Sequence, residues 1–264
     1  MKQIFDRLKL LSGVLCLLYV SLNAHAEDAN LAKLFQERNV TGTIVISSLD
    51  GTSNYIHNLP RAEERFLPAS TFKIPNTLIA LEERVITDEK EIIRWDGQDK
   101  GWKEWNKDQS LETAFPLSCV WFYQELAKRI GNERYLRHLQ QMHYGNQRTG
   151  KEVTTFWLEG NLEISAIEQI AFLKKMYTGE LPYMPWHIAL LKQLMIVEKT
   201  PQYTIRAKTG WTMRTIPQIG WYVGYLEMKE ETWFFATNID IVKHGDEHFR
   251  QEISIEALRV KGIF

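Results

Sequence analysis

The order of sheet and helix signals along this chain predicts an α+β fold. Strand-like stretches lie near both ends, a long middle reads as helix, and no repeat, low-complexity tract or linker divides the chain. Residues 43–47 (Thr-Ile-Val-Ile-Ser) and 52–57 flank the turn signal Asp50-Gly51 and read as a hairpin. After Pro68, the residues Ile74, Leu78, Ile79 and Leu81 recur at helical spacing, which places Ser70 near a helix N-terminus with its backbone N–H free to face an anion. Pro75 has no N–H to give the carbonyl of Thr71, so the first turn should be tightened or irregular.

From about residue 87 to 194 the signals are mostly helical. They include 122–130, 133–142 and 165–177, the last with Ser165 as N-cap and Glu168 completing a capping box. Strands return at 203–208, 219–226 and 232–238, and 248–260 closes as a helix. The expected organisation is a sheet lobe of about 27–86 plus 195–264, a helical lobe of about 87–194, and an active site in the seam.

Chemistry enters at Ser70-Thr71-Phe72-Lys73. The i, i+3 spacing puts a hydroxyl nucleophile and an amine on one helix face, the pairing that covalent acyl transfer needs. Three more motifs follow in order: Ser118-Cys119-Val120, Tyr144-Gly145-Asn146 and Lys208-Thr209-Gly210. Together the four resemble the class D serine β-lactamases, the oxacillinases, over essentially the whole chain after residue 26. A class A enzyme would carry Ser-Asp-Asn at the second motif and its own glutamate base. The resemblance implies a serine β-lactamase and penicillin-binding-protein-like fold, α+β, with a mostly antiparallel sheet flanked by terminal helices and an all-helical insert. It also implies hydrolysis of β-lactam antibiotics through a Ser70 acyl-enzyme, and hence antibiotic resistance.

At its ordinary pKa a lysine amine is neutral in roughly one molecule in a few thousand at pH 7, so Lys73 must be altered to act as a base. Phe72, Val120, Trp157 and Leu158 offer an apolar surround that disfavours the ammonium and leaves an amine able to react with carbon dioxide. The resemblance implies that reaction. N6-carboxylated Lys73 would be the general base for acylation and deacylation, with the Trp157 indole bonded to the carbamate and no metal or other cofactor. It further implies Ser118 as the proton relay to the lactam nitrogen, with electrostatic help from Lys208. The oxyanion hole would be the N–H groups of Ser70 and Trp211. Thr209 and Arg250 would bind the substrate carboxylate, while Val120 and Leu158 line the cleft and Trp102 and Trp105 form its hydrophobic mouth. Tyr144-Gly145-Asn146 reads as architecture, and Cys119 as a buried packing thiol. Arg214 reads as shaping the 211–218 loop, which looks similar to that of the carbapenem-hydrolysing branch.

Residues 1–26 carry Lys2, Arg7 and Lys9, an apolar stretch over 10–22 and Ala24-His25-Ala26, the pattern of a removable secretory signal. The expected mature chain starts at Glu27 in a bacterial periplasm, without a stable membrane anchor. Removing three cations and Asp6 takes the formal net charge from −1 to −3, which offers nothing to nucleic acid. Only Cys119 survives processing, so no internal disulfide forms and the core must hold by packing. The partner expected is a small-molecule β-lactam, and no apolar stripe specifies an oligomer. A β-lactam sensor that is acylated but does not deacylate is the alternative, and a penicillin-binding transpeptidase is a second. His244 and His248, four apart, suggest zinc, but Gly245 spoils a helix there and the His-Glu-x-x-His order is absent.

Overall fold

The computed structural model describes residues 27–264; the expected signal segment lies outside the described residues. Six strands make one antiparallel sheet: β1 (Gly42–Ser48), β2 (Asn54–His57), β3 (Ile196–Lys199), β4 (Tyr203–Trp211), β5 (Gln218–Met228) and β6 (Thr232–Ile241). Their spatial order is β2-β1-β6-β5-β4-β3. The two ends of the chain therefore meet mid-sheet, with β1 on β6 from Gly42 opposite Ile239 to Ser48 opposite Trp233.

Alternation along the strands gives the sheet two apolar faces. Ile44, Ile46, Phe235 and Ile239 join one core with Leu31, Phe35, Ile253 and Leu258, which come from α1 (Ala29–Arg38) and α9 (Phe249–Val260). Val45, Phe234, Ala236 and Trp221 join the other, larger core. These two helices are the terminal pair that the resemblance implies, and Arg38 of α1 ties them through Glu252 at 2.7 Å and Glu256.

Residues of the middle segment build the second core: α3 (Lys73–Glu82), α5 (Val120–Ile130) and α8 (Pro185–Leu194) pack together, and α7 (Ala166–Thr178) crosses β1, β5 and β6. The expected helical lobe of 87–194 is therefore corrected in two ways. First, α7 belongs to the sheet's packing, because its buried face (Ile170, Phe172, Leu173, Met176) needs an apolar partner that the sheet provides. Second, much of 84–110 and 145–164 is turn and loop, held by side chains such as Asp88 and Asp108 that accept backbone N–H groups. The remaining helices of the segment are α4 (Leu111–Ala114) and α6 (Asn132–Met142). Three elements were not read from the sequence: α1, β3 and α2 (Leu59–Glu63), all short or polar.

Local expectations hold where caps or prolines set them. Ser165 accepts from Glu168 N–H at 3.2 Å and Glu168 returns a bond to Ser165 N–H at 2.9 Å. Ala69–Phe72 is a 3₁₀ turn that runs into α3, as the missing N–H of Pro75 requires.

The Tyr144-Gly145-Asn146 motif anchors the 145–164 loop. Tyr144 is buried edge-on to Phe72 and Phe172, with centroids 5.8 and 4.9 Å away. Asn146 donates to Asn161 O at 2.8 Å and accepts from Glu163 N–H at 3.2 Å. Gly145 has φ +52°, and a Cβ there would sit 2.1 Å from Glu163 O. Gly145→Ala should therefore cost about 2–4 kcal/mol. Urea unfolding checks this, and a midpoint matching the parent would show that the loop is not held here.

Candidate active site

The 3₁₀ turn that carries Ser70 is forced into place from three sides. Ala69 has φ +47°, a conformation costing about 1–2 kcal/mol for a non-glycine residue. It is held there by its N–H on Trp157 O at 2.9 Å and by Thr71, whose N–H and hydroxyl reach Pro68 O at 3.1 and 2.8 Å. Gln169 of α7 in turn donates to the Thr71 hydroxyl at 3.0 Å.

One helical turn on, Lys73 Nζ lies 3.0 Å from Ser70 Oγ, and the whole lysine is buried. Phe72 stacks on Trp157 with centroids 5.6 Å apart, and Tyr123 presents its ring 5.1 Å from the amine. Burial pushes the Lys73 pKa down to about 7, as the sequence led us to expect. The Trp157 indole Nε1 is buried and has no acceptor. Cys119 is fully buried, and burial drives its thiol up to about 11, which makes it a packing group at neutral pH.

Ser118 and Lys208 meet from opposite sides. Ser118 sits at φ +54° between α4 and α5, and the Lys208 ammonium donates to its hydroxyl. Lys208 is buried, and its pKa falls well below the ordinary value through burial, with the charges of Lys73 and Arg250 reinforcing the shift.

The strand that carries Lys208 comes this close because Gly210 has no side chain. A Cβ there would lie 2.8 Å from Pro68 O and 3.1 Å from the Thr71 methyl. Ala207 N–H bonds Met195 O at 2.8 Å on the β3 side, while Thr212 N–H bonds Ile219 O at 2.9 Å on the β5 side. Strand alternation then points the Trp211 N–H to the β3 side, where β3 has already ended. That leaves a free donor beside the Ser70 turn.

A cleft of about 880 Å³ joins these parts, lined by Ser70, Ser118, Val120, Leu158, Thr209, Trp211 and Arg250, with Trp102 and Trp105 at its rim. Lys73, Lys208 and Trp157 lie behind this lining. Arg250, from the first turn of α9, reaches Gly210 O at 3.4 Å, yet its Nε is buried without a partner. Burial lowers the guanidinium to about 10, so the cleft holds a cation short of acceptors.

Penicillin binding protein transpeptidase domain is the family model that matches, over residues 38–259. β-Lactamase OXA-48 of Klebsiella pneumoniae is 42% identical over 87% of this chain and 86% of its own. β-Lactamase OXA-2 of Salmonella typhimurium is 41% identical over 89% and 86%. Among solved structures, the class D β-lactamase YbXI from Nostoc superimposes with TM-score 0.87 at 42% identity, covering 89% of this chain and 99% of that one. The chain belongs to the class D β-lactamases. It is a serine β-lactamase, a hydrolase of the cyclic amide.

Reading the β-lactamase from its sequence missed several residues of the site. Trp121 lines the cleft and donates from its indole to Trp105 O at 2.8 Å, while Trp105 donates to Leu117 O at 3.0 Å, which fixes the rim. Trp121 follows Val120 directly, but a helical aromatic gives no sign of which way it faces. Lys100 also lines the cleft, paired with Asp96 at 2.6 Å. Arg214, its side chain largely exposed, pairs with Glu159 and so bridges the 211–218 loop to the segment carrying Trp157 and Leu158. His248 turns to Gly245 O and to Glu252 at 3.5 Å.

A buried amine whose pKa is depressed destabilises the folded state. Between about pH 7 and 10 the unfolded Lys73 binds the proton that the folded one refuses, so the penalty is full below pH 7 and fades as pH rises. In bicarbonate-free buffer, Lys73→Met should stabilise the enzyme by about 2–4 kcal/mol at pH 6 and by much less at pH 10. Denaturant titration at the two values checks this, and a pH-independent gain would contradict it.

Proposed function

We propose that this β-lactamase opens the β-lactam ring through an ester on Ser70, with Lys73, in N6-carboxylated form, supplying the base for both half-reactions. The observation that carries the reading is a serine hydroxyl 3.0 Å from a fully buried amine, which burial brings to a pKa of about 7, so that about half of it is neutral at pH 7. Carbon dioxide reacts with neutral amines, and the unpaired Trp157 Nε1 beside this pocket is a donor in want of an anionic acceptor, so the residues fit the group. Carboxylation would supply a tethered carboxylate base. No metal is part of the reading.

Ser70 Oγ attacks the lactam carbonyl, whose oxygen gathers charge between the N–H groups of Ser70 and Trp211. Donors so placed are worth roughly 3–4 kcal/mol each. Ser118 passes a proton to the departing nitrogen, and the amine of Lys208 feeds and steadies that hydroxyl. Arg250 and Thr209 bind the substrate carboxylate, which supplies a charged acceptor to a guanidinium whose Nε has none and whose Nη1 reaches only Gly210 O. Val120 and Leu158 pack against the ring, with the indoles of Trp102 and Trp105 beyond. The enzyme acts in the periplasm after its leader is cut before Glu27.

Turnover of a penicillin should rise with added bicarbonate, and intact mass should show a transient adduct on Ser70. A stable adduct at every bicarbonate level would mean a sensor instead. Trp157→Phe keeps an aromatic ring, smaller than the indole, but loses the N–H, so half-maximal turnover should need about tenfold more bicarbonate; an unchanged requirement would remove Trp157 from the base's support. Arg250→Ala should raise KM about 10–100-fold with little change in kcat, and steady-state kinetics on benzylpenicillin would show otherwise if the carboxylate binds elsewhere. The 211–218 loop adds carbapenems to the expected substrates; imipenem that acylates and stays would exclude them.

A further inference from the structure

Lys73 is enclosed on all sides, but one wall of its pocket is not inert. Tyr123 of α5 is itself fully buried and faces the amine with its ring, 5.1 Å from centroid to Nζ. Thr77 donates its hydroxyl proton to Lys73 O at 2.8 Å, so Tyr123 must be the donor in its own 2.8 Å bond to Thr77 Oγ1. The ring is thereby tied to the backbone of the residue whose amine it faces. A ring face carries negative potential: it attracts an ammonium, does little for a neutral amine and disfavours a carboxylate. Here it opposes the desolvation that empties Lys73 of its proton.

We propose that Tyr123 is a positioning residue that holds the uncarboxylated Lys73 ammonium beside Ser70 and so sets how carbon dioxide capture by Lys73 depends on pH. The inference rests on the carboxylated-lysine reading above. Only the neutral amine reacts: its lone pair forms the C–N bond, one C=O pair moves onto oxygen, and an N–H proton leaves to solvent. No oxidant or reductant is involved. Other titratable groups at the amine are the Cys119 thiol at the start of α5 and the Lys208 ammonium from β4, with the Ser70 hydroxyl at 3.0 Å. All three remain when only the ring at position 123 is altered, so their influence cancels between variants.

The test loads full-length mature enzyme with ¹³C-labelled carbon dioxide and integrates the lysine carbamate resonance by NMR at pH 5.5 and pH 9.5. Without the ring the ammonium loses its partner, so more neutral amine is present under acid conditions. Tyr123→Leu should half-saturate at roughly five- to tenfold less dissolved carbon dioxide at pH 5.5 and differ much less at pH 9.5, where both amines are neutral and only the ring's repulsion of the carbamate is lost. Tyr123→Phe should behave like the parent. Fluorinating the phenylalanine ring in that background drains its face without changing its shape, so stepwise fluorination should move the pH 5.5 value toward that of the leucine variant. This series carries the test if the leucine variant does not fold. A purely structural role would weaken the carbamate by one factor at both pH values, and that result, or insensitivity to fluorination, overturns the proposal. No carbamate resonance in the parent at any carbon dioxide level would overturn the carboxylated-lysine reading itself.

Discussion

The site depends on keeping one amine dry. Lys73 gives up its proton near neutral pH because burial removes the solvation of its ammonium. That burial comes from a pocket walled by Phe72, Trp157, Tyr123 and Cys119, all fully enclosed, with Ser70 between the amine and the cleft. Each of these large aromatics also contributes about 2–3 kcal/mol of apolar burial, so the groups that strain the site are the groups that stabilise the core around it. The strain at Ala69 belongs to the same arrangement. Its left-handed turn brings Ser70 round to the cleft while Lys73, three residues on, stays inside.

The second constraint is a sheet edge that stops early. A free edge is normally a liability that invites pairing with another chain. Here β3 is only four residues long, and the outer half of β4 is covered by the Ser70 turn rather than by a strand. The outward-facing N–H of Trp211 is thus left beside the Ser70 turn and the cleft. Gly210 makes this approach possible, since any Cβ there would strike Pro68 O. An ordinary-length β3 would satisfy the edge and remove the donor.

How much of this was legible depended on range. The hairpin of β1 and β2, the Ser165 capping box and the irregular turn before Pro75 were readable because each is fixed by residues within a few positions. The four motifs named the reacting groups, and the cleft brings together the ones expected to line it. What stayed hidden is set by contacts distant in sequence. Nothing local says that α7 packs on the sheet, that 145–164 is pinned as loop through Asn146 and Glu163, or that Trp121 turns toward the cleft. Arg214 remains largely exposed, and that it also pairs with Glu159, 55 positions back, is a contact no local pattern announces. The helix α1 carried a readable i, i+3, i+4 pattern in Leu31, Leu34 and Phe35 under an Asp28 cap; its polar remainder masked it.

Two buried lysines sharing one site impose a rule on the proton traffic. Each ammonium disfavours the other, and Arg250 adds a third positive field at Lys208. With Lys73 cationic, Lys208 is pressed to give up its proton, and the Ser118 hydroxyl it contacts then faces a neutral amine rather than an ammonium. Carboxylation of Lys73, as proposed above, would reverse the sign: Lys208 would then keep its proton beside Ser118, available for relay toward a leaving nitrogen. The charge state of one residue would thus arm the other across the cleft. On the proposed mechanism, nucleophile activation and leaving-group protonation would be two consequences of a single electrostatic state.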